Sequence, residues 1–384
     1  MRTIGVVTAA RADYNYYRPI LRRIQRHRRL RLRLLATGMH LSPEFGLTVG
    51  TIEDDDVEIA ERVEMLLSSD TPEGIAKSMG LGTIGFSQVF ARERPDLLLV
   101  LGDRFEMHAA VVAALPFRIP VAHLHGGEVT EGAIDEQLRH SITKMSHLHF
   151  AATKAYANRL TQMGEEPWRV HVTGSPALDL IRETKLMSRK ALSKHIGFDL
   201  SEPPLLVTFH PPTLEYDAVA AQARALTDAL EGIQLPAVIT FPNADAGGRV
   251  ILDRMRAFAA KRPRVLLVTS LGPRAYLSLM AVAAAMVGNS SSGIIEAPTF
   301  ALPAVNIGTR QDGRERAPNV IDVGYRKEEI LSGIRRALSP RFRERLASIR
   351  NPYGDGRAAE RVVKRLATVP LDDRLIRKKF FTAS

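Results

Sequence analysis

The 384-residue chain has no cysteine, one tryptophan and only 6% aromatic residues. Without cysteine, disulfide frameworks and thiolate metal sites are excluded. Long apolar runs are also missing. The most apolar later stretch, Ala281–Val287, falls far short of the ~18 residues that suggest a membrane span. The opening MRTIGVVTAARADYNYY lacks a positive region followed by a long apolar segment, so a cytoplasmic protein without a membrane partner is expected. Acidic residues are in deficit, 42 against 53 Lys and Arg, for a net charge of +11. Part of the excess crowds into Arg18, Arg22, Arg23, Arg26, Arg28, Arg29, Arg31 and Arg33. These arginines alternate with Ile20, Leu21, Ile24, Leu30 and Leu32 without interleaved aromatics. That pattern reads as a solvated helix face entering a strand, so no nucleic-acid partner is expected.

What is present is a soluble globular composition, 45% hydrophobic and 25% charged, in a chain long enough for about two domains. Short β-rich runs alternate with helical spacing. Strands are expected at Thr3–Ala9, Leu32–Thr37, Leu97–Leu101, Ile119–Ala122, His147–Ala151 and Val170–Thr173. Thr51–Glu64 reads as a peripheral excursion. The alternation restarts with Leu205–Phe209, Ala237–Phe241, Val265–Val268, Ala285–Val287 and Ala304–Ile307. The expected fold is α/β, with two Rossmann-like doubly wound domains facing across a cleft. The first is assigned to 1–180 and the second to 190–355, with 356–384 packing back on the first.

The densest chemistry follows two adjacent strands. Asp103, Arg104, Glu106 and His108 come after Leu97–Leu101; His123, His125, Gly126, Gly127, Glu128, Glu131 and Asp135 come after Ile119–Ala122. In open parallel sheets ligands bind beyond the carboxyl ends of strands. Acids with separated pKa values there suit proton abstraction and leaving-group protonation. His123 and His125 alternate along a strand and point to opposite faces, so no metal site is expected. In the second half, GNSSSG (Gly288–Gly293) sits at a strand end before a helix. Its backbone N–H groups and hydroxyls, Ser290 and Ser291 among them, suit a diphosphate. It lacks the P-loop lysine and the GxGxxG spacing, which disfavours NAD. Arg11, at the first strand end, and His210, before two prolines, are placed to meet phosphate. Glu296 suits vicinal sugar hydroxyls. Asn243, within Pro242–Gly248, and Arg310, within Arg310–Arg314, lie on further polar loops of the same rim.

The strings GDRFE, HGGEVTEGAIDEQLRHSITKMSHLHF, VTGSPALD, FHPPT, FPNADAGG and GNSSSGIIEAP resemble the hydrolysing UDP-N-acetylglucosamine 2-epimerases of sialic- and legionaminic-acid type, of the GT-B superfold. The resemblance runs from about Thr3 to Arg357. It implies a nucleotide-sugar substrate, no cofactor and a homodimer or homotetramer. The implied reaction removes the C2 proton, eliminates UDP to a glycal and adds water, releasing N-acetylmannosamine. The alternative is the same chemistry on a UDP- or GDP-linked 2,4-diacetamido-2,4,6-trideoxyglucose, or a GT-B glycosyltransferase. The resemblance implies Asp103 and Asp135 as catalytic acids, and Arg11, His210, Ser290 and Ser291 as diphosphate ligands. Glu296 would hold the ribose, and Arg310 would be a nucleotide-side cation, with Arg104, Asn243 and Gly293 beside them. Sialic-acid-type members carry Glu where this chain has His125, so the third acid/base is His125, Glu128 or Glu131.

Overall fold

The apolar runs form two fully parallel sheets, whose central strands are buried on both faces and read as near-continuous Val, Leu, Ile and Ala. The computed structural model describes residues 1–68, 71–131, 134–212, 215–242, 248–269 and 271–382. The first sheet contains β1 (Arg2–Thr8), β2 (Leu30–Thr37), β3 (Ile59–Val63), β4 (Leu97–Leu101), β5 (Val121–Leu124), β6 (Leu148–Ala151) and β7 (Val170–Val172). Its order is β3-β2-β1-β4-β5-β6-β7. The second contains β8 (Leu205–Thr208), β9 (Ala237–Thr240), β10 (Val265–Val268), β11 (Ala285–Gly288), β12 (Ala304–Ile307) and β13 (Val320–Val323). Its order is β10-β9-β8-β11-β12-β13. The winding direction therefore reverses between β1 and β4, and again between β8 and β11. Those are the switch points at which doubly wound sheets bind ligands.

Two strands escaped the sequence reading. β3 lies within the supposed excursion Thr51–Glu64, its apolar residues masked by the acidic run before it. β13 follows a polar loop and pairs only with β12, so its outer edge needs no apolar pattern. One GxGxxG spacing does occur, at Gly80–Gly85, but it lies inside the helix Pro72–Arg92. There Gly82 and Gly85 serve packing: a Cβ on Gly82 would meet Met65 at 2.6 Å and one on Gly85 would meet Val63 at 2.7 Å.

The chain divides into two compact units. The first comprises Met1–Glu128, Ile134–Leu180 and Tyr353–Ser384, the second Val129–Ala133 and Ile181–Pro352. The second unit thus takes the short segment 129–133, which the sequence division placed with the first. In the first unit the helix Ala358–Thr368 lays Ala359, Val362, Val363 and Leu366 into the core shared with Ile20, Leu21 and Ile24 of the helix Arg11–Gln25. The Arg2 guanidinium closes this junction by donating to the Val369 carbonyl at 2.9 Å. Among the described residues no helix is long and apolar enough to cross a membrane.

Candidate active site

Register aligns the ends of β4 and β5, with Leu101 opposite Leu124, so that Gly102–Arg104 and His125–Gly127 emerge side by side. Asp103 is partly exposed and accepts an ion-paired hydrogen bond from Arg139, which is itself buried. Arg139 also donates to Glu136 Oε2 at 2.8 Å. Asp135 opens the helix Asp135–Met145, and one turn along a helix returns to the same face, which puts Asp135 and Arg139 on one side. Sequence reading missed Arg139; its spacing from Asp135 was the available signal.

Arg104 does not stand free as a ligand cation. It donates to Glu106 from both Nε (3.1 Å) and Nη2 (2.7 Å), and Glu106 is fully buried. Desolvation works against the Arg104 charge, but Glu106, Asp13 and Asp135 outweigh it and hold the guanidinium protonated. Beneath it, Asp13 accepts from the Thr8 hydroxyl (2.9 Å) and from the Ala9 (2.8 Å) and Ala10 (2.9 Å) backbone N–H groups. Burial still pushes its carboxyl up to about 6. This bracket fixes the turn from β1 into the helix Arg11–Gln25, whose first residue, Arg11, is exposed at the rim.

His125 takes a left-handed backbone, φ 63°, which is uncommon for a residue other than glycine. Its Nδ1 lies 2.6 Å from Glu128 Oε1, and both residues are buried. On the other side, Nε2 is 3.4 Å from the Ser175 hydroxyl, and Tyr16 meets the ring edge-on at 5.5 Å between centroids. Gly127 makes the turn between the pair possible, since a Cβ there would sit 2.4 Å from the Tyr156 carbonyl oxygen. The structure thus brings His125 and Glu128 together as a buried pair. Glu131 does not join it. It is exposed, belongs to the second unit and lies beside Gly313. His123 faces inward, Nε2 on the Gly102 carbonyl at 2.7 Å, and burial lowers its pKa to about 3. Among the described residues, no group of three or more His, Asp or Glu is arranged to hold a metal.

The second unit builds its rim differently. Gly288, φ 135°, ends β11 so close to β8 that a Cβ would lie 1.9 Å from the Thr208 carbonyl oxygen. Asn289, fully buried, accepts from His210 N–H at 2.7 Å and donates to the His210 carbonyl at 2.8 Å. Its own carbonyl accepts from Arg310 Nη1 (3.2 Å) and Gln311 Nε2 (2.9 Å). His210 is neutral: burial, then the Arg310 charge, lowers it to about 3. Ser290 and Ser291 stay partly accessible at the loop. The helix behind them is a single turn, Ser292–Ile295. Its dipole is correspondingly small, and the loop relies on hydroxyls and backbone N–H groups. Gly293 is buried against Ala304, a packing role. Glu296 caps the turn and is half-buried. Tyr276, overlooked in the sequence, places its hydroxyl among Ser292, Thr208 and Ser290, and burial pushes it up to about 12. Asn243 lies outside the described residues.

A family model described as UDP-N-acetylglucosamine 2-epimerase matches residues 22–367. The chain is 38% identical to the UDP-N,N'-diacetylbacillosamine 2-epimerase (hydrolyzing) of Legionella pneumophila, over 98% of this chain and 99% of that protein. It is 42% identical to the GDP/UDP-N,N'-diacetylbacillosamine 2-epimerase (hydrolyzing) of Campylobacter jejuni, over 84% of each. The crystal structure of UDP-GlcNAc 2-epimerase from Neisseria meningitidis bound to UDP-GlcNAc aligns with a TM-score of 0.83, covering 95% of this chain and 99% of that one. At 20% identity this last likeness bears on the fold.

Proposed function

Because the chain belongs to the UDP-N-acetylglucosamine 2-epimerase family, we propose that it is a hydrolysing 2-epimerase of a UDP- or GDP-linked diacetylbacillosamine. The observation that carries this reading is likeness along nearly the whole chain to the Legionella protein, supported by the Campylobacter one. Sequence analysis put UDP-N-acetylglucosamine first; the relatives favour the diacetamido sugar. UDP-N-acetylglucosamine remains the second reading, favoured by the description of the family model.

In the proposed reaction a first-domain base takes the proton from C2 as the C1–O bond to the diphosphate breaks, leaving a glycal and the nucleoside diphosphate. Water then adds, its proton to C2 on the opposite face and its hydroxyl to C1, which releases the 2-epimeric free sugar. Asp103, Asp135 and the His125–Glu128 pair are the groups assigned to these transfers. Arg139 orients Asp103 through their ion pair. Ser290, Ser291, neutral His210 and Arg310 are assigned to the diphosphate, with Arg11 as a further cation and Glu296 at the ribose. Carboxylates repel anions, so their density at the first rim supports proton transfer over simple anion binding there.

The test is incubation with UDP- and GDP-diacetylbacillosamine and with UDP-N-acetylglucosamine in D2O, followed by NMR. Free nucleotide plus a manno-configured sugar deuterated at C2 supports the mechanism, and the preferred substrate decides between the readings. Nucleotide release only with an added acceptor indicates a transferase and defeats the proposal.

A further inference from the structure

β8 ends at Thr208, and two prolines follow His210. Proline has no N–H, so no regular ladder can continue here. Asn289 supplies the missing pairing. Its backbone N–H donates to the Thr208 carbonyl at 3.1 Å, as a parallel neighbour would. Its side chain then takes over and binds both the N–H and the C=O of His210. At the same time its own carbonyl gathers Arg310 and Gln311 from the loop after β12. Loops from β8, β11 and β12 therefore meet on one residue, which has no exposed surface. In such a site water cannot replace a lost partner, and each orphaned polar group carries its full desolvation cost.

We propose that Asn289 is the positioning residue of the nucleotide rim, setting where His210 and Arg310 stand relative to the diphosphate. The inference rests on the reading that this rim binds a nucleoside diphosphate. The amide is required because the His210 peptide presents one donor and one acceptor. Aspartate keeps the shape but offers only acceptors, facing the His210 carbonyl and adding negative charge beside an anion site. Leucine keeps the bulk and offers neither.

The experiment compares UDP and uridine binding by calorimetry in full-length wild type, Asn289→Asp and Asn289→Leu, with steady-state kinetics on the preferred nucleotide sugar. UDP affinity is expected to fall about tenfold or more in both variants, the size of a lost buried hydrogen-bonded pair. Uridine affinity should stay within about twofold, KM should rise, and kcat should move far less, because the ground-state grip is what is lost. Equal weakening of UDP and uridine would mean general damage to the domain and overturns the proposal. If the substitutions at 289 do not fold, Gln311→Leu removes one strap on the Asn289 carbonyl. It should weaken UDP by about threefold without touching uridine, and unchanged UDP binding there overturns the proposal. Wild type that binds UDP while Asn289→Asp matches it defeats this inference alone. Wild type that binds neither ligand defeats the reading of the rim and the inference with it.

Discussion

The two units share one winding order around β1/β4 and β8/β11, yet their rims are chemically opposite. The first is crowded with ionisable groups held in pairs: Asp103 with Arg139, Arg104 with Glu106, His125 with Glu128. The second is built from an amide, hydroxyls, a neutral imidazole and the guanidinium of Arg310. In the proposed reaction equivalent strand ends carry different work, because side chains, not topology, decide the chemistry. Groups that must gain and lose protons need charge partners that set their pKa values. A rim that holds an anion needs donors fixed in place, and neutral donors avoid the desolvation cost of burying several cations.

The contrast is most open to attack at Asp103. Replacing it with Asn should lower kcat by roughly 10²–10⁴-fold, the usual contribution of a positioned acid or base, with UDP binding by calorimetry nearly unchanged. Weakened UDP binding with kcat preserved would reverse the roles given to the two rims. His125→Gln and Glu128→Gln should each cost about a hundredfold in kcat, and the double variant little more, because paired residues acting as a unit are not additive. Full additivity would show that they act separately.

Acid stability separates the units by another route. In the first unit, burial lowers His40 to about 4, His123 to about 3 and His147 to about 4. Below about pH 6.5 the unfolded chain binds protons that these folded imidazoles refuse. Each therefore removes about 1.4 kcal/mol of stability per pH unit as acidity rises, until its folded pKa is reached. Asp13, raised to about 6, works the other way between its ordinary value and 6, and offsets one of the three. In the second unit His210 is the comparable group. From pH 7 to 5 the thermal transition of the first unit should fall further, followed by fluorescence of Trp168, the sole tryptophan. Hydrogen-exchange protection of β8 and β11 should fall less, and equal losses would contradict the burial contrast. The smallest effect is expected from Glu131→Gln. Exposed and packed with the second unit, it should leave kcat within about twofold, inside the scatter of surface substitutions; a larger loss would return it to the acid/base set.

Much of this was legible from sequence because it follows from local periodicity. Parallel strands announce themselves as short apolar runs, and the polar residues that end them mark the rims, so Asp103, Asp135, His125, His210 and the serine loop could be named in advance. β3 (IAERV) and β13 (VIDV) could not, since charged residues interrupt their apolar runs, whereas the other edge strands, β7 and β10, contain no Asp, Glu, Lys or Arg. What tertiary structure alone decided is partnership. Glu128 rather than Glu131 reaches His125, because the backbone turns left-handed at His125 and again at Gly127. Arg139 reaches Asp103 from the helix Asp135–Met145, and Asn289 binds His210 across 79 residues of sequence. A sequence states which groups are present at a strand end. Whether a carboxylate meets a guanidinium, an imidazole or water depends on ångström-scale approach of distant segments, and that sets its charge.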